Sequence, residues 1–458
     1  MARLLHNALI INENRSFIGS VLINQGLIQH VFEGAVPDAI FQTVEVVDAK
    51  GLWLLPGAID DHVHFREPGL THKASIESES KAAVAGGVTS YMDMPNTKPA
   101  TTTIAQWEAK MELAAERSWA NYAFYLGATN DNIAELQKAD FQRVCGVKLF
   151  MGSSTGNMLV DDENALNELF ETVPGLIAVH AESESRIRAN REHYIHQYGE
   201  TLPLSFHPLI RDAEACYEST SLAVELAHRH GARLHVLHVS TANELALFES
   251  KPLVEKRITA EACVPHLWFD QDAYALKGAA IKCNPAIKTS TDRRALIEAV
   301  QKGLIDVIAT DHAPHLWSEK EGDALTAASG MPSIQFSLPL MLELSLQGCF
   351  SKETVVTRMC HAPAILYRIE KRGFIREGYH ADLVLIDPSS EHVISSDEVL
   401  STCGWSPYVG ERVHFSVVKT YVNGSLVFNQ GKVMGQRAVS ALLFNAHRNT
   451  LNHEKTRN

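Results

Sequence analysis

Eight short apolar runs recur through the middle of the chain, at 58–65, 88–94, 122–127, 144–151, 175–180, 233–239, 257–264 and 306–311, with segments of helical composition between them. Runs of this length read as strands, and strands that alternate with helices build βαβ units around a parallel sheet. Eight in succession predict closure into a (β/α)8 barrel. The connection between the fifth and sixth runs exceeds what one crossover helix needs, and reads as a helix plus an insertion. The ends of the chain differ. Residues 19–28, with a turn at Gln25-Gly26, and 43–47 read as strands, as do 381–386 and the apolar runs on either side of a hairpin signal at Asn423-Gly424. β-Rich ends around such a middle predict a small β-sandwich domain assembled from both termini. The expected division is 1–55 and 371–445 for that domain, 56–370 for the barrel and 446–458 for a polar tail.

What stands at the C-terminal ends of the runs narrows the chemistry. In order they carry His62 and His64, Asn96, Lys148, His180, His238 and Asp311, and that rim is where such barrels build active sites. Asp60-Asp-His-Val-His-Phe-Arg66 ends the first run, and strand alternation sets His62, His64 and Arg66 on one side. Two imidazoles so spaced can hold one metal, and the guanidinium beside them can fork onto a carboxylate. A lone histidine is often a satisfied core residue, so His180 and His238 gain weight only from their company. His235, of opposite parity to His238, reads as structural, and His228, His230 and His266 have no partner pattern.

Lys148 is costly to bury unless paired or chemically changed. Carboxylation of its amine by carbon dioxide would supply the bridging anion that four histidines and one aspartate leave missing from a two-metal site. Asp311 can ligate a metal and act as general base toward water, whose pKa such metals lower from about 15.7 to near 7. Asp306 reads as the entry to its strand. Gly152-Ser-Ser-Thr-Gly156 fits the G-x-S-x-G pattern of serine hydrolases but has no adjacent His/Asp pair. A loop over the site, spanning 152–159, explains it better.

The charge balance excludes other classes. Acidic residues number 54 against 41 basic ones, for a net charge of -13 without a basic run, which argues against nucleic acid or an anionic membrane as partner. No stretch of 18 apolar residues suggests a membrane span, and the N-terminal residues lack a secretion signal. The seven cysteines are odd in number and form no C-x-x-C pair, as expected of buried free thiols in a reducing cytoplasm. A small-molecule substrate in the cytoplasm is the expectation.

With these residues in place, the chain resembles the dihydroorotases of the amidohydrolase superfamily over almost its whole length. The resemblance is carried by Leu55-Pro-Gly-Ala-Ile-Asp60, His62-Val-His-Phe-Arg-Glu-Pro-Gly69, Met94-Pro-Asn-Thr-Lys-Pro99, His180-Ala-Glu182, His238-Val-Ser240 and Thr310-Asp-His-Ala-Pro-His315. It implies reversible cyclisation of N-carbamoyl-L-aspartate to L-dihydroorotate in pyrimidine biosynthesis. It further implies two zinc ions held by His62, His64, His180, His238, Asp311 and a carboxylated Lys148. Substrate would meet His64, Arg66, Asn96, Asn284, His315 and the backbone near Ser329 and Gly330. Asn284-Pro-Ala-Ile-Lys288 departs from the usual N-P-P-L-R of the family, which leaves the roles of Asn284 and Lys288 open.

A homodimer, and association with aspartate transcarbamoylase, are compatible with this reading. Two alternatives stay open. One is another cyclic amidase, a hydantoinase or allantoinase, in which a buried Arg66 without a carboxylate to meet would be uncompensated. The other is a silent scaffold of aspartate transcarbamoylase, which would not need the ligand residues that are all present.

Overall fold

The computed structural model describes residues 2–152 and 158–445. Most of the 152–159 loop, with its G-x-S-x-G pattern, and the whole of the 446–458 tail therefore lie outside the described residues.

Strands β1 (Arg3–Asn12), β2 (Arg15–Asn24), β3 (Leu27–Phe32), β4 (Glu45–Asp48) and β5 (Trp53–Pro56) open the chain. The barrel strands follow: β6 (Ala58–Val63), β7 (Val88–Asp93), β8 (Asn121–Phe124), β9 (Leu126–Gly127), β10 (Val147–Phe150), β11 (Leu176–His180), β12 (Arg233–Val236), β13 (Ile258–Cys263) and β14 (Val307–Ala309). The chain closes with β15 (Leu383–Asp387), the short pair β16 (His392–Val393) and β17 (Arg412–Val413), then β18 (Ser416–Val422), β19 (Ser425–Asn429) and β20 (Lys432–Val433). The eight runs are thus the eight barrel staves, the third being interrupted between β8 and β9.

All barrel pairings are parallel, β6-β7-β8 in one path and β9 to β14 in the other. The ring is completed where β14 returns to β6. There Val63 bridges His312, and His64 N–H donates to His312 O at 2.7 Å. Asp60 pins the same seam from within: its carboxylate accepts from Thr310 Oγ1 at 2.6 Å and from the Thr310 and His62 N–H groups at 3.2 Å. The helices outside begin on side-chain caps. Thr103 with Gln106, and Thr289 with Asp292, form reciprocal capping boxes for Ile104–Arg117 and Ser290–Lys302, satisfying orphan N–H groups of the first turn. The long fifth-to-sixth connection carries two helices, Glu184–Tyr198 and Ala213–His230, with short helical turns between them.

Strands from both ends form the β-sandwich domain, hydrogen-bonded as β20-β19-β18-β15-β5-β1-β2-β3 with β4 beside β1. The sheet divides along β1, whose first residues pair with β4 and whose later ones pair with β5. β15 lies between β5 and β18 and so joins the two ends of the chain. The β18–β19 turn is Asn423-Gly424, both with positive φ, as a tight hairpin requires. Among the described residues, no helix is long and apolar enough to cross a membrane.

Candidate active site

The rim residues converge, but not by strand geometry alone. β6 ends at Val63, so the parity expected to carry from His62 to Arg66 does not hold to the end of the motif. Arg66, His238 and Asp311 all lie past their strands and take positive φ, at 67°, 41° and 47°. Such conformations cost free energy in residues with a Cβ and cluster at functional sites. The kink at His238 also explains a parity conflict. In β12, Leu234 and Val236 pack into the core cluster around Leu149 and Val179, while His235 faces Asp61 and Glu261 on the other side. A regular strand would turn His238 away from that side; the left-handed residue brings it back toward His62, with ring centroids 5.2 Å apart.

His62 Nε2 and His64 Nε2 lie 3.2 and 3.1 Å from Asp311 Oδ1, and two buried imidazoles and a partly exposed carboxylate thus form a group able to hold a metal. Each imidazole is oriented from behind. His62 Nδ1 meets Glu261 Oε1 at 2.9 Å, and His64 Nδ1 meets Asn96 Oδ1 at 2.7 Å. An acceptor at Nδ1 places the proton there and leaves the Nε2 lone pair for a cation. On the opposite side His180 Nδ1 and His238 Nε2 are 3.0 Å apart, and His180 Nε2 is 3.0 Å from Glu182 Oε2. Lys148 is fully buried, its Nζ 4.6 Å from the centre of the Phe150 ring.

Electrostatics keep three of the four imidazoles, His64, His180 and His238, neutral and Asp311 charged. Burial holds His64 down at about 4 and pushes His180 and His238 below the usual imidazole range. Burial also opposes charge on Asp311 and on His62, but their mutual attraction wins, lowering the carboxyl and, with Glu261, raising the imidazole. Burial brings the Lys148 ammonium down to about 7 against the pull of Asp311 and Glu261. Apposed neutral imidazoles, an ionised aspartate and a lysine near neutrality fit a pair of divalent cations well.

Beside this cluster, Arg66 Nε donates to Pro314 O at 3.0 Å, and its Nη2 lies 3.1 Å from His315 Nε2. His315 Nε2 also lies 3.1 Å from Ser329 O. Gly330 has φ of 131°, and a Cβ there would stand 2.7 Å from Ala313 O, so the position admits only glycine. Gly330 N–H donates to Lys282 O at 2.9 Å, which sets Asn284 on the adjoining wall. Asn284 Oδ1 is buried without a hydrogen-bond partner among the described residues. Lys288, by contrast, is turned into the wall, donating to Ala286 O at 3.1 Å and Ser240 Oγ at 3.5 Å.

Residues 53–427 match the amidohydrolase family. The chain belongs to that family. It is accordingly a metal-dependent cyclic amide hydrolase acting on a small molecule. A dihydroorotase of Methanosarcina mazei is 32% identical over 377 residues, 80% of this chain and 81% of that one. An allantoinase of Bacillus velezensis is 30% identical, covering 84% and 86%. The L-hydantoinase (dihydropyrimidinase) structure from Arthrobacter aurescens superposes with a TM-score of 0.90 at 26% identity, covering 96% and 99%.

Several supporting residues of this amidohydrolase escaped sequence reading. Glu261 accepts from His62 Nδ1–H, from the His238 backbone N–H at 2.9 Å and from Cys263 S–H at 3.2 Å. Its burial opposes ionisation, but His62 and His235 hold its carboxyl far below the usual range. His235 Nε2 stands 3.3 Å from Asp61 Oδ2 and 3.7 Å from Glu261 Oε2, and is raised to about 9 against its burial by these two carboxylates. Glu182 pairs with Arg211, which helps to hold it at about 2 despite burial. For Glu261 the signal was available: a carboxylate inside an apolar strand, like the Lys148 amine, must be paired. Glu261→Gln keeps the shape but gives His62 a weaker acceptor. The variant is expected to bind metal about 10- to 100-fold more weakly, read by zinc titration against a chromogenic chelator. Wild-type affinity would remove Glu261 from this role.

Proposed function

We propose that the chain is a dihydroorotase, interconverting N-carbamoyl-L-aspartate and L-dihydroorotate, with two zinc ions held by His62, His64, His180, His238, Asp311 and a carboxylated Lys148. The observation that carries the substrate assignment is the meeting of Arg66 and His315. A buried guanidinium 3.1 Å from an imidazole nitrogen is a costly pairing on its own, and a substrate carboxylate between them would compensate it. Asn96 supports the same reading, because His64 engages its Oδ1 and leaves its amide N–H groups for the substrate. A buried Asn284 Oδ1 without a partner is a further polar group that a ring amide could satisfy.

Two cations bound there would acidify water and polarise the scissile carbonyl. The chain's own residues do the rest. Asp311, ionised and held between two imidazoles, accepts the proton of the attacking water and returns it to the ring nitrogen as the amide bond breaks. Arg66, Asn96 and His315 keep the substrate carboxylate fixed, so that the reacting carbonyl stays in register with Asp311. Cyclisation runs the same transfers in reverse.

The deciding experiment follows the ultraviolet absorbance of L-dihydroorotate with the zinc-loaded protein, with and without a strong chelator. Chelator-sensitive ring opening supports the proposal. Turnover of hydantoin or allantoin instead would transfer the reading to the corresponding amidase, and a loaded protein inert toward all three would point to a scaffold. Arg66→Lys retains the charge but loses the fork. It is expected to raise KM for dihydroorotate by about 10- to 100-fold, the loss of one charge-assisted hydrogen bond; an unchanged KM would exclude a carboxylate clamp at Arg66.

A further inference from the structure

We infer that Lys73 sets the tautomer of His315, keeping its ring proton on Nε2, where the carboxylate pocket needs a donor. The inference rests on the proposed reading of Arg66 and His315 as carboxylate binders, and follows from counting donors. Lys73 Nζ lies 3.2 Å from His315 Nδ1. An ammonium has three donors and no acceptor, so at this distance Nδ1 offers its lone pair to Lys73 rather than a proton to Glu319 Oε2, which stands farther off at 3.6 Å. A neutral imidazole then carries its one proton on Nε2, where it donates to Ser329 O at 3.1 Å.

The ring is held neutral by its surroundings. Burial is the largest influence, and Arg66, Lys73 and Lys320 all disfavour a second proton, bringing His315 to about 2. Arg66 Nη2 at 3.1 Å from Nε2 is therefore a donor facing a donor. With the Nε2 proton shared with Ser329 O, the Arg66 N–H beside it is left without an acceptor, and an anion placed there supplies one. The opposite tautomer would undo this: Nε2 would accept from Arg66, consume that donor, and present a lone pair to the incoming carboxylate.

Lys73 is built for this position. Its Nζ is anchored by Glu319 Oε1 at 2.7 Å, while Glu319 Oε2 accepts the Leu316 N–H at 2.9 Å, next to His315 in the chain. From the other side, Lys73 N–H donates to Leu70 O and Leu70 N–H to Arg66 O, each at 3.0 Å. The segment that delivers the guanidinium thus also delivers the ammonium that fixes its partner's proton. Lys73 touches no metal ligand in these contacts and acts on substrate only through His315, as a positioning residue.

The test uses the zinc-loaded full chain carrying imidazole-15N histidine, with His315 assigned by its absence from His315→Gln. Long-range proton–nitrogen spectra distinguish Nε2–H from Nδ1–H. Wild type and Lys73→Arg, which keeps a donor without an acceptor, are expected to show Nε2–H. Lys73→Met, and Lys73→Gln as a second variant whose amide oxygen can accept a hydrogen bond from Nδ1–H, are expected to show Nδ1–H or a mixture. In those two variants KM for dihydroorotate should rise about tenfold or more, by loss of a charge-assisted bond, with kcat changed less than about twofold. A His315 that stays wholly Nε2–H in both variants overturns the inference. A tautomer that switches while KM for dihydroorotate stays at the wild-type value upholds the role of Lys73 and overturns the carboxylate reading of the pocket instead.

Discussion

Asp311→Asn is expected to lower turnover of dihydroorotate by about two to four orders of magnitude, the usual contribution of a general acid–base group, while the protein keeps part of its metal. Asp311 Oδ1 sits within 3.2 Å of both His62 Nε2 and His64 Nε2, so one oxygen lies among the ligands. Its carboxyl is lowered by His62 and His64 in spite of burial, and is therefore ionised at neutral pH and able to accept a proton. Asparagine preserves the size and one oxygen but cannot take up that proton. Initial rates, and metal content by elemental analysis after dialysis, measure the two parts separately. Turnover within threefold of wild type would exclude Asp311 as the base. Complete loss of metal would show that its role as ligand outweighs its role in proton transfer.

Lys148→Ala is expected to lose more than about a hundredfold in activity, exceeding what removal of a group behind the ligands costs, and to recover part of it in millimolar acetate or propionate. Lys148 is 1% exposed, and its neighbours include His180 through the shared Phe150 ring. Truncation to alanine leaves a cavity in a close-packed barrel, one that a small carboxylate can enter and where it can supply the missing anion. Lys148→Met fills the same space without an anion and should not respond to added carboxylate. If Lys148→Met turned over like wild type, no bridging anion would be required and the carboxylated lysine would be discarded. Mass spectrometry under native conditions, where a carboxylated lysine adds the mass of carbon dioxide, gives a reading independent of activity.

The fold was legible because its signal is repetitive. Each barrel strand is buried on both faces, so 88–94 and 175–180 stand out as apolar runs whatever the helices between them do. The rim residues were legible for a related reason, since polar groups end those runs at one pole of the barrel. What stayed hidden depends on chain geometry that strand alternation does not encode. The left-handed residues at Arg66, His238 and Asp311 carry these side chains into the pocket after regular strand has stopped. Glu261 and Asp61 were missed for a different reason. Glu261 neighbours no catalytic pattern in sequence, and Asp61, although it adjoins His62, meets its partner His235 only across strands. Lys73 lies in a loop, and nothing in the sequence connects it with His315, 242 positions away.

The strand order has a consequence for how the chain is made. β5 has its partner β15 only after the entire barrel has been synthesised, so on the ribosome the first strands wait with an open edge. A growing sheet edge of apolar residues such as Trp53-Leu-Leu-Pro56 is an invitation to pair with other chains. The barrel can close in the meantime, because its own seam joins β6 to residues near 312, well before the C-terminal strands emerge. Assembly is then vectorial in the middle and deferred at the ends. Premature termination beyond the barrel would release a chain with an unfinished, adhesive sheet.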